Sequence, residues 1–559
     1  MTRRPLLAGL TAAALLGGLA VAAPSSAAPA PVDTCFASVP EPGSSAPVQI
    51  CYTLFQPAGA SADTPVPMVL HGHGWGGSRN KTPGSLKPFL DAGYGVLSFD
   101  QRGFGESGGR AHTLQADIEA HDVLGLVDIV AELPWVKKDA PGDPVLGAVG
   151  GSYGGGYQFL GAFADQLYNG TNRFDALAPE ITWNDLKTAL APDEVARSAW
   201  LTLLTAVSTQ DNDERAQRAF AYGSATGLWA DGPVAQALDA DMDAYFLKTG
   251  PKWHVSQGRK IDVPVLFRQG ISDNLFNLNE AVANFETALT PEARAQSVMI
   301  GYNGGHVLPN ALPRAAATGG DPCSAELLGP VPPEGPAAFT RLTLQFFDRA
   351  LKGVGDGVAG TGQYHLATYD AKDCVNVNTV AATTTVDLGN VVTPVGAGAP
   401  IYLELTKGEA LTVSGVPRVD ALVTSAGVHN KAFFGLAVGS TPADAVVLQN
   451  NVLPLHEEVP LVGSERSVDL PGVAANVPAG QKLYLVVSAV SDMYAANGSR
   501  TPGGIVLRGT KVRLPVVAAQ APITPKPGPV VTEQPVEEAP EEGSEDGKKD
   551  KDKKDKGRR

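Results

Sequence analysis

Ser152 lies in the run Pro144-Val145-Leu146-Gly147-Ala148-Val149-Gly150-Gly151-Ser152-Tyr153-Gly154-Gly155-Gly156, an apolar stretch leading into the pattern G-x-S-x-G. That pattern makes a tight turn between a strand and a helix, exposing the serine hydroxyl where glycines let the backbone pass close. Ser152 is therefore the candidate nucleophile. A hydroxyl attacks poorly until a neighbour takes its proton, so a base and an orienting acid are required. After such a turn they follow in the order Ser, Asp, His. The apolar run 263–268 leads into Gln269-Gly270-Ile271-Ser272-Asp273-Asn274 and offers Asp273 as the acid; Asp262, before that run, falls at the wrong end of a strand. The run 297–300 leads through Gly301-Tyr302-Asn303-Gly304-Gly305 to His306, the expected base.

A second G-x-S-x-G match, Gly105-Glu106-Ser107-Gly108-Gly109, has no strand immediately before it and reads as a structural loop. The run 66–70 ends in His71-Gly72-His73-Gly74-Trp75-Gly76-Gly77. Loops of this type lend one backbone N–H to a developing oxyanion, and the residue after the nucleophile lends another. Tyr153 and Trp75 are the expected donors, with His73 the alternative to Trp75. His71 and His73 have no acidic or third imidazole ligand nearby in sequence, so no metal is expected.

These residues need a sheet to hold them. Between residues 65 and 353 short apolar runs at 66–70, 95–99, 145–149, 263–268 and 297–300 alternate with helical patterns such as 116–133 and 336–351. Strand and helix in alternation predict an α/β fold with a parallel sheet covered on both faces. Residues 182–250 break the pattern: they are Ala-, Leu- and Asp-rich at helical spacing, with Trp183, Trp200 and Trp229, and read as an inserted helical cap. After about residue 360, β-branched runs at 379–388, 401–405, 421–424, 482–490 and 505–514 are separated by Gly, Pro and Asn, predicting an antiparallel β-sandwich or jelly roll.

The ends and the overall charge narrow the setting. Met1-Thr2-Arg3-Arg4, an apolar run to Ala23 and the Ser26-Ala27-Ala28 that follows read as a cleaved export signal, leaving no membrane span and a secreted protein. Four cysteines without close Cys-x-x-Cys pairs fit disulfides in an oxidising compartment, Cys35 with Cys51 and Cys323 with Cys374 being the local pairing among three possible. The formal net charge of −15 repels phosphate backbones and argues against a nucleic-acid partner. From about Ala521 the chain turns Pro- and Glu-rich and ends in Lys548–Arg559; it reads as a disordered tail, a solvated spacer first and a cell-envelope-binding segment as the alternative. The expected organisation is a signal peptide at 1–28, a catalytic domain at 29–360 with its cap at about 180–255, a β-sandwich at 361–518 and the tail at 519–559.

The motifs together resemble the Xaa-Pro dipeptidyl-peptidase and cocaine-esterase type of α/β-hydrolase. The likeness lies in Asp100-Gln101-Arg102-Gly103 with Gly105 and Ser107, in Leu133-Pro134-Trp135-Val136, and in Gly151-Ser152-Tyr153-Gly154-Gly155. It extends through Ile181-Thr182-Trp183-Asn184-Asp185-Leu186, the segment 270–273, Phe346-Phe347-Asp348 and Val477-Pro478-Ala479-Gly480-Gln481-Lys482-Leu483. The resemblance implies a doubly wound α/β-hydrolase sheet with a helical cap and a C-terminal jelly roll. It also implies a cofactor-free serine hydrolase whose partner is a small peptide or ester substrate. Xaa-Pro dipeptide release is the first expectation and carboxylic ester hydrolysis the alternative. Some relatives serve the oxyanion with a tyrosine side chain, where the matching loop here has Trp75 and His73. A dipeptidyl-peptidase must hold a free α-ammonium, and the cap carboxylates Asp185, Asp193, Glu194 and Asp211 are candidates for that task. The reading from another class, a noncatalytic surface-binding protein built around the sandwich, runs against a complete Ser, Asp, His set.

Overall fold

The computed structural model describes residues 27–517 apart from 209–211, 230, 240, 307–320, 330–335, 397 and 495–502. The expected export signal, but for its residues 27 and 28, and the expected charged tail lie outside the described residues.

Ten strands form one sheet: β1 Val32–Ser38, β2 Val48–Phe55, β3 Met68–Gly72, β4 Gly95–Phe99, β5 Leu146–Gly151, β6 Ala176–Glu180, β7 Leu266–Gly270, β8 Val298–Tyr302, β9 Tyr364–Ala367 and β10 Cys374–Val377. Their spatial order is β1-β2-β4-β3-β5-β6-β7-β8-β9-β10. The strands from β4 through β9 run parallel, and antiparallel pairs close both edges. The sequence explains why this sheet is buried on both faces. Met68, Leu70, Leu97, Phe99, Leu146 and Ala148 join the core on one side, with helix α1 Glu119–Glu132 and helix α2 Tyr153–Asn169. The residues between them, Val69, Val96 and Val149, join the core on the other side with Leu342, Phe346 and Phe347 of the helix Pro336–Lys352. Strands covered on both faces are apolar at successive positions, which is how these runs read in sequence.

Five of these strands fall within a few residues of the apolar runs; the others were not anticipated. β6 is Ala-Leu-Ala-Pro-Glu, and Pro179, paired with Gly150, has no amide to give a ladder. β1 exposes most of its residues and shows no apolar alternation. It is fastened to β2 by Cys35–Cys51, two residues directly opposite in register. A second disulfide, Cys323–Cys374, ties the helix Pro322–Leu328 to β10. The segment between β6 and β7 forms short helices, among them α3 Ser198–Ala206 and the helix Glu214–Thr226, over the C-terminal ends of the strands.

Beyond β10 the described chain is β-rich and antiparallel. One sheet orders Thr384–Val392, Gly504–Leu514, Arg418–Ala426 and Leu461–Asp469; another joins Ile401–Glu404, Lys482–Ser488, Asn430–Gly439, Val446–Val447 and Leu453–Glu457. Val419, Val423, Leu507 and Val512 of the first share one core with Phe434, Leu436, Leu483 and Leu485 of the second, so the two sheets face each other.

Candidate active site

The turn after β5 places Ser152 at φ 57° and ψ −120°, a left-handed conformation that non-glycine residues rarely adopt. Its neighbours make the turn possible. A Cβ on Gly150 or Gly154 would overlap the Gly72 carbonyl, and one on Gly155 would come within 2.8 Å of the Glu180 carbonyl. The Ser152 amide donates to Glu180 O at 2.9 Å, fixing the turn against the end of β6.

His306, in the loop after β8, has its Nε2 3.0 Å from Ser152 Oγ and its Nδ1 2.9 Å from Asp273 Oδ2. Asp273, after β7, is fully buried. Its Oδ1 accepts the amides of Leu275 and Phe276 at 2.8 and 2.9 Å, and its Oδ2 accepts Gln269 Nε2 at 3.2 Å. Each oxygen of the carboxylate thus has donors, as a buried charge requires. The Asp and His loops are joined by Ser272 N donating to Gly304 O at 2.8 Å, and Ile271 N donates to Tyr302 O at 2.9 Å. Phe276 and Trp200 pack edge-on against the imidazole, with ring centroids 5.2 and 5.4 Å away. The three residues singled out in sequence therefore meet in the linear order hydroxyl, imidazole, carboxylate. In such an order the imidazole takes the hydroxyl proton and the carboxylate holds the imidazolium.

The loop after β3 lies beside Ser152: a Cβ on Gly74 would sit 3.8 Å from Ser152 Cβ. His73 is occupied on both ring nitrogens, Nδ1 with Gly74 O at 2.7 Å and Nε2 accepting Gln101 N at 3.0 Å. Burial lowers its pKa, and the ring serves as a neutral brace for the loop. His71 bonds Ser98 Oγ at 2.9 Å, and burial lowers its pKa to about 4. The Trp75 indole N–H donates to Leu204 O in α3 at 3.1 Å, so its side chain is committed to the cap. Tyr153 follows the turn as the first residue of α2. Its hydroxyl donates to Glu119 at 2.9 Å, a buried carboxylate whose pKa burial raises.

Beside Ser152 opens an apolar pocket of about 30 Å³, walled by Trp75, Tyr153, Trp183, Phe220 and Phe276 and by leucines of the cap; no charged side chain lines it among the described residues. The cap carboxylates lie elsewhere. Asp185 pairs with Lys252 at 2.6 Å, Asp193 accepts the His456 amide at 2.6 Å, and Glu194 lies 4.0 Å from the His456 ring. Asp211 is outside the described residues. The other serine match, Ser107, donates to Asp100 O at 2.7 Å and accepts the Cys51 amide at 2.8 Å, a loop-pinning role consistent with the sequence reading. Sequence reasoning missed Gln269 as a carboxylate partner, though it stands in the same loop, and Trp200 as a wall of the imidazole. The tryptophan had been legible only as part of a helical pattern.

Comparison with known proteins finds similarity in sequence family and in fold. Residues 47–307 match the model of a family described as X-Pro dipeptidyl-peptidase (S15 family). A curated relative from Escherichia coli, described as an uncharacterized 31.7 kDa protein in the traX-finO intergenic region, is 32% identical over 102 residues, which are 18% of this chain and 34% of that protein. The chain thus spans about a third of the length of the curated relatives it matches. Among solved structures, an aminopeptidase from the marine sediment archaeon Thaumarchaeota archaeon is 13% identical with a TM-score of 0.57, over 88% of this chain and 97% of that one. A CocE/NonD family hydrolase from Staphylococcus aureus is 14% identical with a TM-score of 0.56, over 87% and 97%. An α-amino acid ester hydrolase is 12% identical with a TM-score of 0.57, over 90% and 99%. At these identities the likeness to solved structures is one of fold.

Proposed function

We propose, on the match of residues 47–307 to the X-Pro dipeptidyl-peptidase (S15) family, that this chain is a secreted serine hydrolase that works through an acyl-enzyme. Ser152 attacks the substrate carbonyl, His306 takes the hydroxyl proton and returns it to the leaving group, and Asp273 holds the imidazolium. The backbone amides of Tyr153 and Trp75 stabilise the tetrahedral oxyanion, and water then releases the acyl group. On this reading residues 29–360 form the catalytic domain with its cap at about 180–255, and residues 361–518 form a sandwich of jelly-roll type.

The observation that supports a choice of substrate class is the pocket beside Ser152. Among the described residues its walls are aromatic and aliphatic without a charged group, and a free α-ammonium buried against these walls would meet no counter-charge from them, at a cost of several kcal/mol. This supports hydrolysis of carboxylic esters with a short, uncharged, apolar acyl group. A volume of about 30 Å³ admits roughly two water-sized groups. Release of Xaa-Pro dipeptides is the second reading, favoured by the description of the matching family.

A panel of p-nitrophenyl esters and peptide anilides tests this choice. Acetate and propionate esters are expected to have a higher kcat/KM than hexanoate or octanoate esters, and Ala-Pro-anilide is expected to be cleaved poorly. Efficient cleavage of Ala-Pro-anilide but not of its N-acetylated form, with slow ester turnover, would replace the esterase reading with the peptidase one.

A further inference from the structure

Two parts of the chain remote from Ser152 close on the loop that carries Asp273. From the β-rich C-terminal region, Asn451 Nδ2 donates to the backbone carbonyl of Asp273 at 3.0 Å. Asn451 is 4% exposed. The two residues before it, Gln449 and Asn450, have φ of 51° and 50°, consecutive left-handed positions without a glycine. Such backbone persists only where its surroundings enforce it, and Gln449 Nε2 donates to Ala474 O at 3.2 Å from within the same region. From the cap, Arg197 is 1% exposed and donates Nη1 to the Asn274 carbonyl at 2.5 Å and Nε to Ala189 O at 2.9 Å. Its guanidinium lies 5.2 Å over the ring of Tyr494, again from the β-rich region. Trp200 Nε1 donates to Asn274 Oδ1 at 3.0 Å while its ring borders His306.

The bonds from Leu275, Phe276 and Gln269 fix the Asp273 carboxylate to its own loop. Asn451 and Arg197 fix that loop to the rest of the molecule by grasping two successive carbonyls, at 273 and 274. We propose that the C-terminal β-rich region is a working part of the active site: Asn451, assisted by the Arg197–Tyr494 contact, is a positioning residue that sets Asp273 against His306. It touches neither substrate nor reacting atoms. The inference rests on the reading of Ser152, His306 and Asp273 as catalytic.

The test uses the full chain with p-nitrophenyl acetate and a fluorophosphonate probe. Asn451→Ala is expected to lower kcat about ten- to a hundred-fold, because a displacement of about 1 Å in a catalytic group has that effect, with KM changed less than about threefold. Weakening the hold of Asp273 on the imidazolium also moves the acid limb of the kcat/KM profile to lower pH. Asn451→Asp, near-isosteric but unable to donate to a carbonyl when ionised, gives the same split and keeps the test open if the alanine variant folds poorly. Tyr494→Leu removes the ring under Arg197 without breaking a hydrogen bond among the described residues, where the Tyr494 hydroxyl has no partner; a smaller loss in kcat is expected. Loss of melting temperature with unchanged kcat and an unchanged acid limb in these variants would reduce Asn451 to a structural tie and overturn the inference. Failure of the probe to label the unsubstituted protein would overturn the catalytic reading, and this inference with it.

Discussion

At the scale of single residues, the two serine matches have opposite fates that a pair of substitutions separates. Ser152→Ala is expected to lower turnover on the order of a million-fold, as loss of a triad nucleophile does, with little change in stability. Ser107→Ala removes the acceptor of the buried Cys51 amide; it is expected to cost about 1–3 kcal/mol in urea unfolding and to keep most of the activity. Equal loss of turnover from both would contradict the assignment. Ser152, Asp273 and His306 were legible because each follows an apolar run, and a run ending at a loop delivers its next polar residue to one rim of the sheet. Asn451 and Arg197 were not legible. Each acts through one or two hydrogen bonds to backbone carbonyls, and a bond to a carbonyl places no demand on sequence spacing.

At the scale of elements, the cap is held to the N-terminal segment through a buried histidine. His112 has its Nε2 2.6 Å from Glu41 and its Nδ1 3.2 Å from Asp213, next to the helix Glu214–Thr226. Burial opposes its charge, but the Asp213 contact, the nearby Glu119 and the Glu41 bond outweigh it and raise its pKa to about 9. The folded value lies above the unfolded value of 6.5, so the stabilisation is complete below pH 6.5 and is lost as pH rises through 9. At about 1.4 kcal/mol per pH unit the loss is up to about 3 kcal/mol. Urea midpoints at pH 6 and pH 10 are expected to differ accordingly, with the difference reduced in His112→Asn. An unchanged difference in the variant would assign it to other groups. The same segment shows why helices and central strands were easier to read than edges. The runs behind β3, β4 and β5 are apolar at every position but Ser98 because both faces are covered, whereas β1 is held by a disulfide and ion pairs, including Asp33 with Arg79 at 2.8 Å, which leave no periodic signal.

At the scale of the whole molecule, the catalytic sheet, the cap and the β-rich region converge on one loop, and covalent ties fasten the sheet's edges. The bonds Cys35–Cys51 and Cys323–Cys374 span separations of 16 and 51 residues, and the chain-entropy model assigns them about 3 and about 4 kcal/mol. Reduction under native conditions is expected to lower the melting temperature, and Cys35→Ser with Cys51→Ser to lower it by the smaller share. An unchanged melting temperature on full reduction would show that neither tie contributes. The division into an α/β part, a helical insertion and a β-rich part was legible from the change of hydrophobic period along the chain. Their convergence was not, because packing between such parts depends on surfaces assembled from distant residues such as Val195, Phe433 and Tyr494.

The central claim is that Ser152 is an activated nucleophile, and mass spectrometry of the intact protein after fluorophosphonate treatment tests it most directly. One adduct per chain, mapped to the peptide containing Ser152, abolished in Ser152→Ala and strongly slowed in His306→Ala, is the expected result. No adduct on the unsubstituted protein, or an adduct that persists in Ser152→Ala, would contradict it.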